Sequence, residues 1–137
     1  MRRYLLDTSP LGAFLLGRKR ALETVSPWIS NREVVTSIVV YGELEEYFKT
    51  MSNYSALHSI LARQLEELKP LSITRRIMEI YADIRLQMRP PYGSGVLSDS
   101  DTLVAATAIR YDLTLVTHDE RDFRRVPTLK RMVLTSR

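Results

Sequence analysis

The chain has 137 residues, a formal net charge of +4, 45% hydrophobic and 26% charged residues, and no cysteine. That length suffices for one domain with a substantial core. The composition excludes a disulfide framework, a thiolate zinc site and a cysteine nucleophile. No apolar run approaches the roughly 20 residues of a membrane-spanning helix. Arg2-Arg3 is followed only by Tyr4-Leu5-Leu6 before Asp7, which is not a signal-peptide pattern, so a cytoplasmic protein without membrane contact is expected.

Tyr4-Leu5-Leu6 reads as a short buried strand running into Asp7-Thr8-Ser9. A helix is expected next, with Ser9 as N-cap and Pro10 at its first position. Asp7 thus stands where a strand hands over to a helix, the edge at which open parallel sheets bind ligands. On this stretch alone a capping role for Asp7 and Ser9 is the better reading. Past the basic turn Arg18-Lys19-Arg20, the segment from Ala21 to Ile29 carries Leu22, Val25, Trp28 and Ile29 at helical spacing. Glu33-Val34-Val35-Thr36 is a second strand, and Ser37 a good N-cap for a helix beginning at Ile38. On that helix Val40, Tyr41, Leu44 and Phe48 share one face, and Glu45 and Lys49 form a favourable i,i+4 pair on the other. Glu43 falls on the border of the apolar face, between Val39 and Tyr47, where an unpaired acid is costly.

Tyr54 to Leu68 has leucines every three or four residues and reads as a helix, followed by a strand candidate at Pro70-Leu71-Ser72-Ile73. Thr74 can cap a long helix from Arg75 to about Met88. Proline and glycine in Arg89-Pro90-Pro91-Tyr92-Gly93-Ser94-Gly95 end it in a loop. Ser98-Asp99-Ser100-Asp101 leads into a helix rich in small residues, Ala105, Ala106 and Ala108. Leu113-Thr114-Leu115-Val116-Thr117 is the clearest strand and ends in His118-Asp119. Met132-Val133-Leu134 closes the sequence as a last strand. Strands alternating with helices predict a single α/β domain over residues 1–137, with a mostly parallel sheet covered by helices on both faces.

Asp7 and Asp119 each follow a strand, Asp101 opens the helix before the clearest strand, and Glu43 lies early on the helix after the second. Two unit charges about 4 Å apart repel by roughly 4 kcal/mol at an effective dielectric of about 20, so gathering these acids makes sense around a cation. With oxygen donors and no cysteine, that cation is expected to be Mg²⁺ or Mn²⁺. The positive background, dominated by arginine, suits a polyanionic partner, although solvated surface accounts for it too. Together they suggest cleavage of a nucleic-acid backbone.

Leu5-Leu6-Asp7-Thr8-Ser9, Tyr41-Gly42-Glu43-Leu44, the run from Asp101 to Ala108, and Leu115-Val116-Thr117-His118-Asp119 with Asp122-Phe123 resemble, in this order, the PIN-domain ribonucleases. Within that family they are most similar to the VapC-type toxins of toxin–antitoxin pairs. The resemblance implies a PIN-like domain and a metal-dependent endoribonuclease acting on RNA, with Mg²⁺ or Mn²⁺ as cofactor. It also implies a small antitoxin partner and a homodimer. Asp7, Glu43, Asp101 and Asp119 would be the metal-binding, catalytic acids, Asp7 and Asp101 directly and the others directly or through water. Thr8 or Ser9, and Thr117, would be hydrogen-bonding helpers, and Asp99 remains open as an additional ligand.

His118 reads as solvent-facing or hydrogen-bonded rather than ligating, His58 has less claim still, and Asp122 reads as a cap or a partner of Arg124 or Arg125. Arg121, Arg124, Arg125 and Lys130 form either an RNA track or a solubilising cluster. Two other functions stay open: a receiver-like Mg²⁺-dependent phospho-acceptor, and a PIN scaffold that binds RNA or protein without catalysis. Against the first, Asp7 lacks an acidic neighbour and the late strands end without a lysine.

Overall fold

In the computed structural model, which describes residues 1–91, 93, 95 and 97–135, strand β1 (Tyr4–Leu6) is buried along its whole length. Successive strand side chains point to opposite faces, so burial of all three means the sheet is covered on both sides. β1 lies between β2 (Val34–Val35) and β3 (Thr114–Thr117), and β4 (Arg131–Val133) pairs with the far edge of β3. All three pairings are parallel, in the order β2-β1-β3-β4. The connection leaving β1 goes to one side of the sheet and the one leaving β3 to the other, so the topological switch point falls between these two strands. That is where an open parallel sheet forms its ligand crevice.

Six helices link the strands: α1 (Thr8–Leu15), α2 (Lys19–Ser30), α3 (Ile38–Lys49), α4 (Tyr54–Leu68), α5 (Arg75–Met88) and α6 (Asp99–Arg110). The predicted α/β architecture stands, with a wholly parallel sheet. Ser37, Thr74 and Ser98 each accept a backbone N–H with the side-chain oxygen at a helix start. Apolar spacing aims Val40, Leu44 and Phe48 of α3, Leu57, Leu61 and Leu68 of α4, and Ile77, Ile80, Ile84 and Met88 of α5 into one core. Ala105, Ala106 and Ala108 are fully buried, so α6 approaches its neighbours with almost no side chain between.

Several local expectations change. α1 starts at Thr8, with Asp7 rather than Ser9 as its N-cap, and Pro10 falls on the third residue of the helix. The first three helical N–H groups have no intrahelical acceptor, so proline costs little there. Leu22 lies at the surface while Ala21 and Val25 supply the buried stripe of α2. Pro70 to Ile73 contributes only a single bridge, Leu71 to Ser37, in place of a strand. Glu45 accepts from Tyr54 Oη at 2.8 Å, with His58 Nδ1 at 2.7 Å, which ties α3 to α4, while the Lys49 charge acts on it favourably as expected. Of the loop from residue 89 to 95, Tyr92 and Ser94 lie outside the described residues. Gly93 and Gly95 donate back to the carbonyls of Arg89 and Met88, closing the end of α5, and a Cβ at Gly93 would collide with the Met88 carbonyl.

Candidate active site

β1 ends at the switch point, and the Asp7 N–H continues its ladder with a bond to the Val116 carbonyl (2.9 Å). That bond holds the Asp7 backbone against β3, while the side chain turns over the sheet edge. One carboxylate oxygen accepts from the Thr8 N–H (2.9 Å), the other from Thr117 Oγ1 (3.0 Å) at the end of β3. Thr8 in turn donates its hydroxyl to Glu43 Oε1 at 2.6 Å, joining α1 to α3. Two neighbouring strands and two helices therefore meet at one carboxylate. The predicted helper Thr117 is buried beside Asp7, and of the pair Thr8 or Ser9 it is Thr8 that makes the bond, whereas Ser9 is exposed.

The Asp7 carboxyl is pushed up to about 6, first by burial, against the lowering effect of its two hydrogen bonds, and further by the charges of Asp101 and Glu43. Asp101, in the first turn of α6, is raised by burial, and then by Glu43 and Asp122, against the hydrogen bond it shares with Ser98. Three acids from β1, α3 and α6 thus repel one another across a common space. Among the described residues none of the three forms an ion pair with Arg, Lys or His. A cation is what such a group lacks electrostatically.

The donor set fits a hard divalent ion. It is all oxygen, made of carboxylates with hydroxyls behind them, and Mg²⁺ binds through one or two carboxylates and several waters rather than in an all-protein cage. Among the described residues no group of three or more Asp, Glu or His side chains is placed to hold a metal ion by itself, so one or two carboxylates with waters are what this arrangement offers an ion.

Asp119, the fourth predicted acid, is arranged differently. It is exposed, and Arg121 holds it through its backbone N–H (2.9 Å) and through Nε at 3.0 and 2.8 Å to the two carboxylate oxygens. Those bonds keep its carboxyl below the usual range, and the Arg124 charge acts in the same direction. Asp119 is not among the charges that act on Asp7 or Asp101. Asp122 is. It precedes the 3-10 turn Phe123–Arg125 without capping it, and its carboxylate faces Asp101 electrostatically. The sequence assigned Asp122 a capping or pairing role; its position one turn beyond the end of β3, opposite the start of α6, was the available signal for more.

Asp99 is drawn off to α5, where Arg85 (2.8 Å) and Tyr81 Oη (3.1 Å) donate to it. Its charge acts on neither Asp7 nor Asp101. An exposed pair of this kind is worth about 0–1 kcal/mol. Asp99→Ala is therefore expected to cost no more than about 1 kcal/mol in a thermal melt and to leave Mn²⁺ binding, measured by isothermal titration, unchanged. A loss of ion binding would return Asp99 to the site. His118 is half-buried and its imidazole is lowered by burial, which keeps it neutral near pH 7. His58 lies with Glu45 and Tyr54 on the α3–α4 seam.

Beside the three acids a cleft of about 480 Å³ opens between α1 and α3, with Thr8, Glu43, Tyr47 and Arg18 among its walls. No helix among the described residues is long and apolar enough to cross a membrane.

The family model of the PIN domain matches residues 4–129. Solved structures with the same fold include VapBC2 from Rickettsia felis bound to a DNA fragment from its promoter, with a TM-score of 0.82 at 21% identity over 94% of this chain and 96% of that one. DNA-bound VapBC from Salmonella typhimurium gives a TM-score of 0.83 at 18% identity over 98% and 99%. FitAcB from Neisseria gonorrhoeae gives 0.80 at 23% identity over 94% and 96%. No curated protein sequence matches the chain.

Proposed function

Because this chain belongs to the PIN-domain family, we propose that it is a metal-dependent endoribonuclease, the toxin of a toxin–antitoxin pair. The observation that carries this reading is the buried carboxylate of Asp7, pushed up to about 6 and facing the charges of Asp101 and Glu43. A divalent ion, Mg²⁺ or Mn²⁺, would be held by Asp7 and Asp101, with Glu43 direct or through water. Bound there, it would supply a water activated for attack and neutralise charge on the phosphoryl oxygens.

The chain's own groups prepare the rest. Thr117 and the Thr8 N–H fix both oxygens of Asp7, so its orientation is set before substrate arrives. The Thr8 hydroxyl fixes Glu43 at hydrogen-bonding distance. α1 and α6 both begin at this edge, and their N-terminal ends favour anionic groups there, the carboxylates first and a phosphodiester once their charge is balanced. Asp119 and Asp122 lie on the segment after β3, among Arg121, Arg124 and Arg125, so this segment brings both acids and cations to the rim. Electrostatic contact with the RNA backbone would come from that rim.

The resemblance in fold to VapBC assemblies supports a small antitoxin as partner. A homodimer and a cytoplasmic location belong to the same reading.

The test is cleavage of a mixed RNA pool by the purified chain with Mg²⁺ or Mn²⁺, against the same reaction in EDTA. Cleavage that needs the ion and disappears with Asp101→Asn is the expected result. Cleavage that persists in EDTA would sink the metal mechanism, and absence of cleavage under every condition, with ion binding intact, would favour a scaffold without catalysis.

A further inference from the structure

The cleft between α1 and α3 shares two walls with the acidic site. Thr8 and Glu43 belong to both, so whatever RNA lies across the acids passes the mouth of the cleft. Tyr47 follows Glu43 by four residues on α3, which puts its ring on the same face one helical turn away. Tyr47 is 53% exposed and Leu16, across the cleft at the end of α1, is 36% exposed. The wall between them is the apolar surface of Gly12, Ala13 and Leu44. A Cβ at Gly12 would rest on Leu44 Cδ2 at 3.4 Å, so this floor is close-packed. Among the described residues, Arg18 and Glu46 are the other charged residues lining the cleft besides Glu43.

An apolar slot with an aromatic ring on one lip and a guanidinium at its mouth matches a planar base attached to a phosphate. The volume, about 480 Å³, falls in the range of small-ligand pockets. Base-on-aromatic stacking is the standard means by which single-stranded RNA is gripped without base pairing. Resting on the nuclease reading above, we propose that this cleft receives the nucleobase next to the scissile phosphate, stacked on Tyr47, with Arg18 taking the adjoining phosphate. Glu46 accepts from an exocyclic amine, so adenine, cytosine and guanine fit the slot better than uracil. Tyr47 is then a specificity-determining residue, one turn removed from the chemistry.

Two readouts test this. With an oligoribonucleotide substrate, Tyr47→Ala should raise KM by about 5- to 150-fold, the span of stacking on one aromatic, with kcat little changed, and Tyr47→Phe should restore KM. In parallel, a short oligoribonucleotide carrying 2-aminopurine is titrated in EDTA, where no cleavage occurs. Its fluorescence should be quenched by wild type and Tyr47→Phe and not by Tyr47→Ala, whose fold is checked by its melting temperature. If wild type cleaves no RNA, the nuclease reading fails, and the quenching experiment still decides the cleft. An unchanged KM together with unchanged quenching in Tyr47→Ala would overturn the proposal and leave the slot to a polypeptide.

Discussion

Asp7→Asn is expected to lower RNA cleavage by at least about 10²–10³-fold while making the metal-free protein more stable at neutral pH. The loss follows from removing a preorganised charge at the centre of the site, where such groups carry several kcal/mol of transition-state stabilisation. The gain follows from the same burial. Asp7 rises from 3.8 to about 6 on folding, so at pH 7 the folded chain holds a carboxylate whose charge is less favourable there than in the unfolded chain. A shift of about two units corresponds to about 3 kcal/mol. Asparagine keeps the shape and caps a helix as well as aspartate does. Single-turnover cleavage with Mg²⁺ and denaturant melts in EDTA at pH 7.5 measure the two halves. An Asp7→Asn protein that is less stable than wild type in EDTA would mean that Asp7 serves the fold rather than the ion.

In the absence of divalent ions, the wild-type chain should lose stability relative to Asp7→Asn as the pH rises from about 4 to about 6. The sign follows from linkage. A group whose folded pKa lies above its unfolded value contributes stability that is fully present below the unfolded value and is lost as pH passes the folded one. The difference between the two proteins should be near zero at pH 3.5 and reach about 3 kcal/mol by pH 7. Asp101, also raised, acts in the same direction in both proteins, less so in Asp7→Asn, where its repulsion with the Asp7 charge is gone. Adding Mg²⁺ at pH 7 should recover stability in wild type, by about 2.7 kcal/mol at a hundredfold excess over Kd, and much less in Asp7→Asn. Parallel pH profiles for the two proteins, with no separate response to Mg²⁺, would contradict the assignment.

Elements were legible wherever one local rule acted alone. The apolar spacing of α4 and α5, the β-branched run of β3, and the caps Ser37 and Thr74 all appear where pattern and hydroxyl chemistry put them. The start of α1 was misread because Asp7 and Ser9 are both good caps and Pro10 is tolerated anywhere in the first turn; the bond between β1 and Val116 decides it, and no local rule contains that bond. In the site, the electrostatic action of Asp101 and Glu43 on Asp7 followed from strand ends and helix starts. Which way each carboxylate turns did not. Asp119 and Asp99 look alike in sequence as acids beside a hinge, yet each has an arginine within reach, Arg121 two residues on and Arg85 on another helix. Asp7 and Asp101 have none among the described residues, and that contrast depends on tertiary distances. Glu45 followed the same logic, adding His58 and Tyr54 across the seam to the Lys49 charge along its own helix.

The strand that leads into Asp7 is synthesised first and paired late. Its ladder with β3, and the Thr117 hydrogen bond that fixes the carboxylate, join residues 110 positions apart. At elongation rates of about 5–20 residues per second, roughly 5 to 20 s separate the two on the ribosome. Until then β1 has only the two residues of β2 to pair with, and the crevice has one wall. A nascent chain therefore carries Asp7 and Glu43 through most of its synthesis, and Asp101 only near its end, before the geometry that gathers them exists. The second wall comes only when β3 emerges and pairs beside β1.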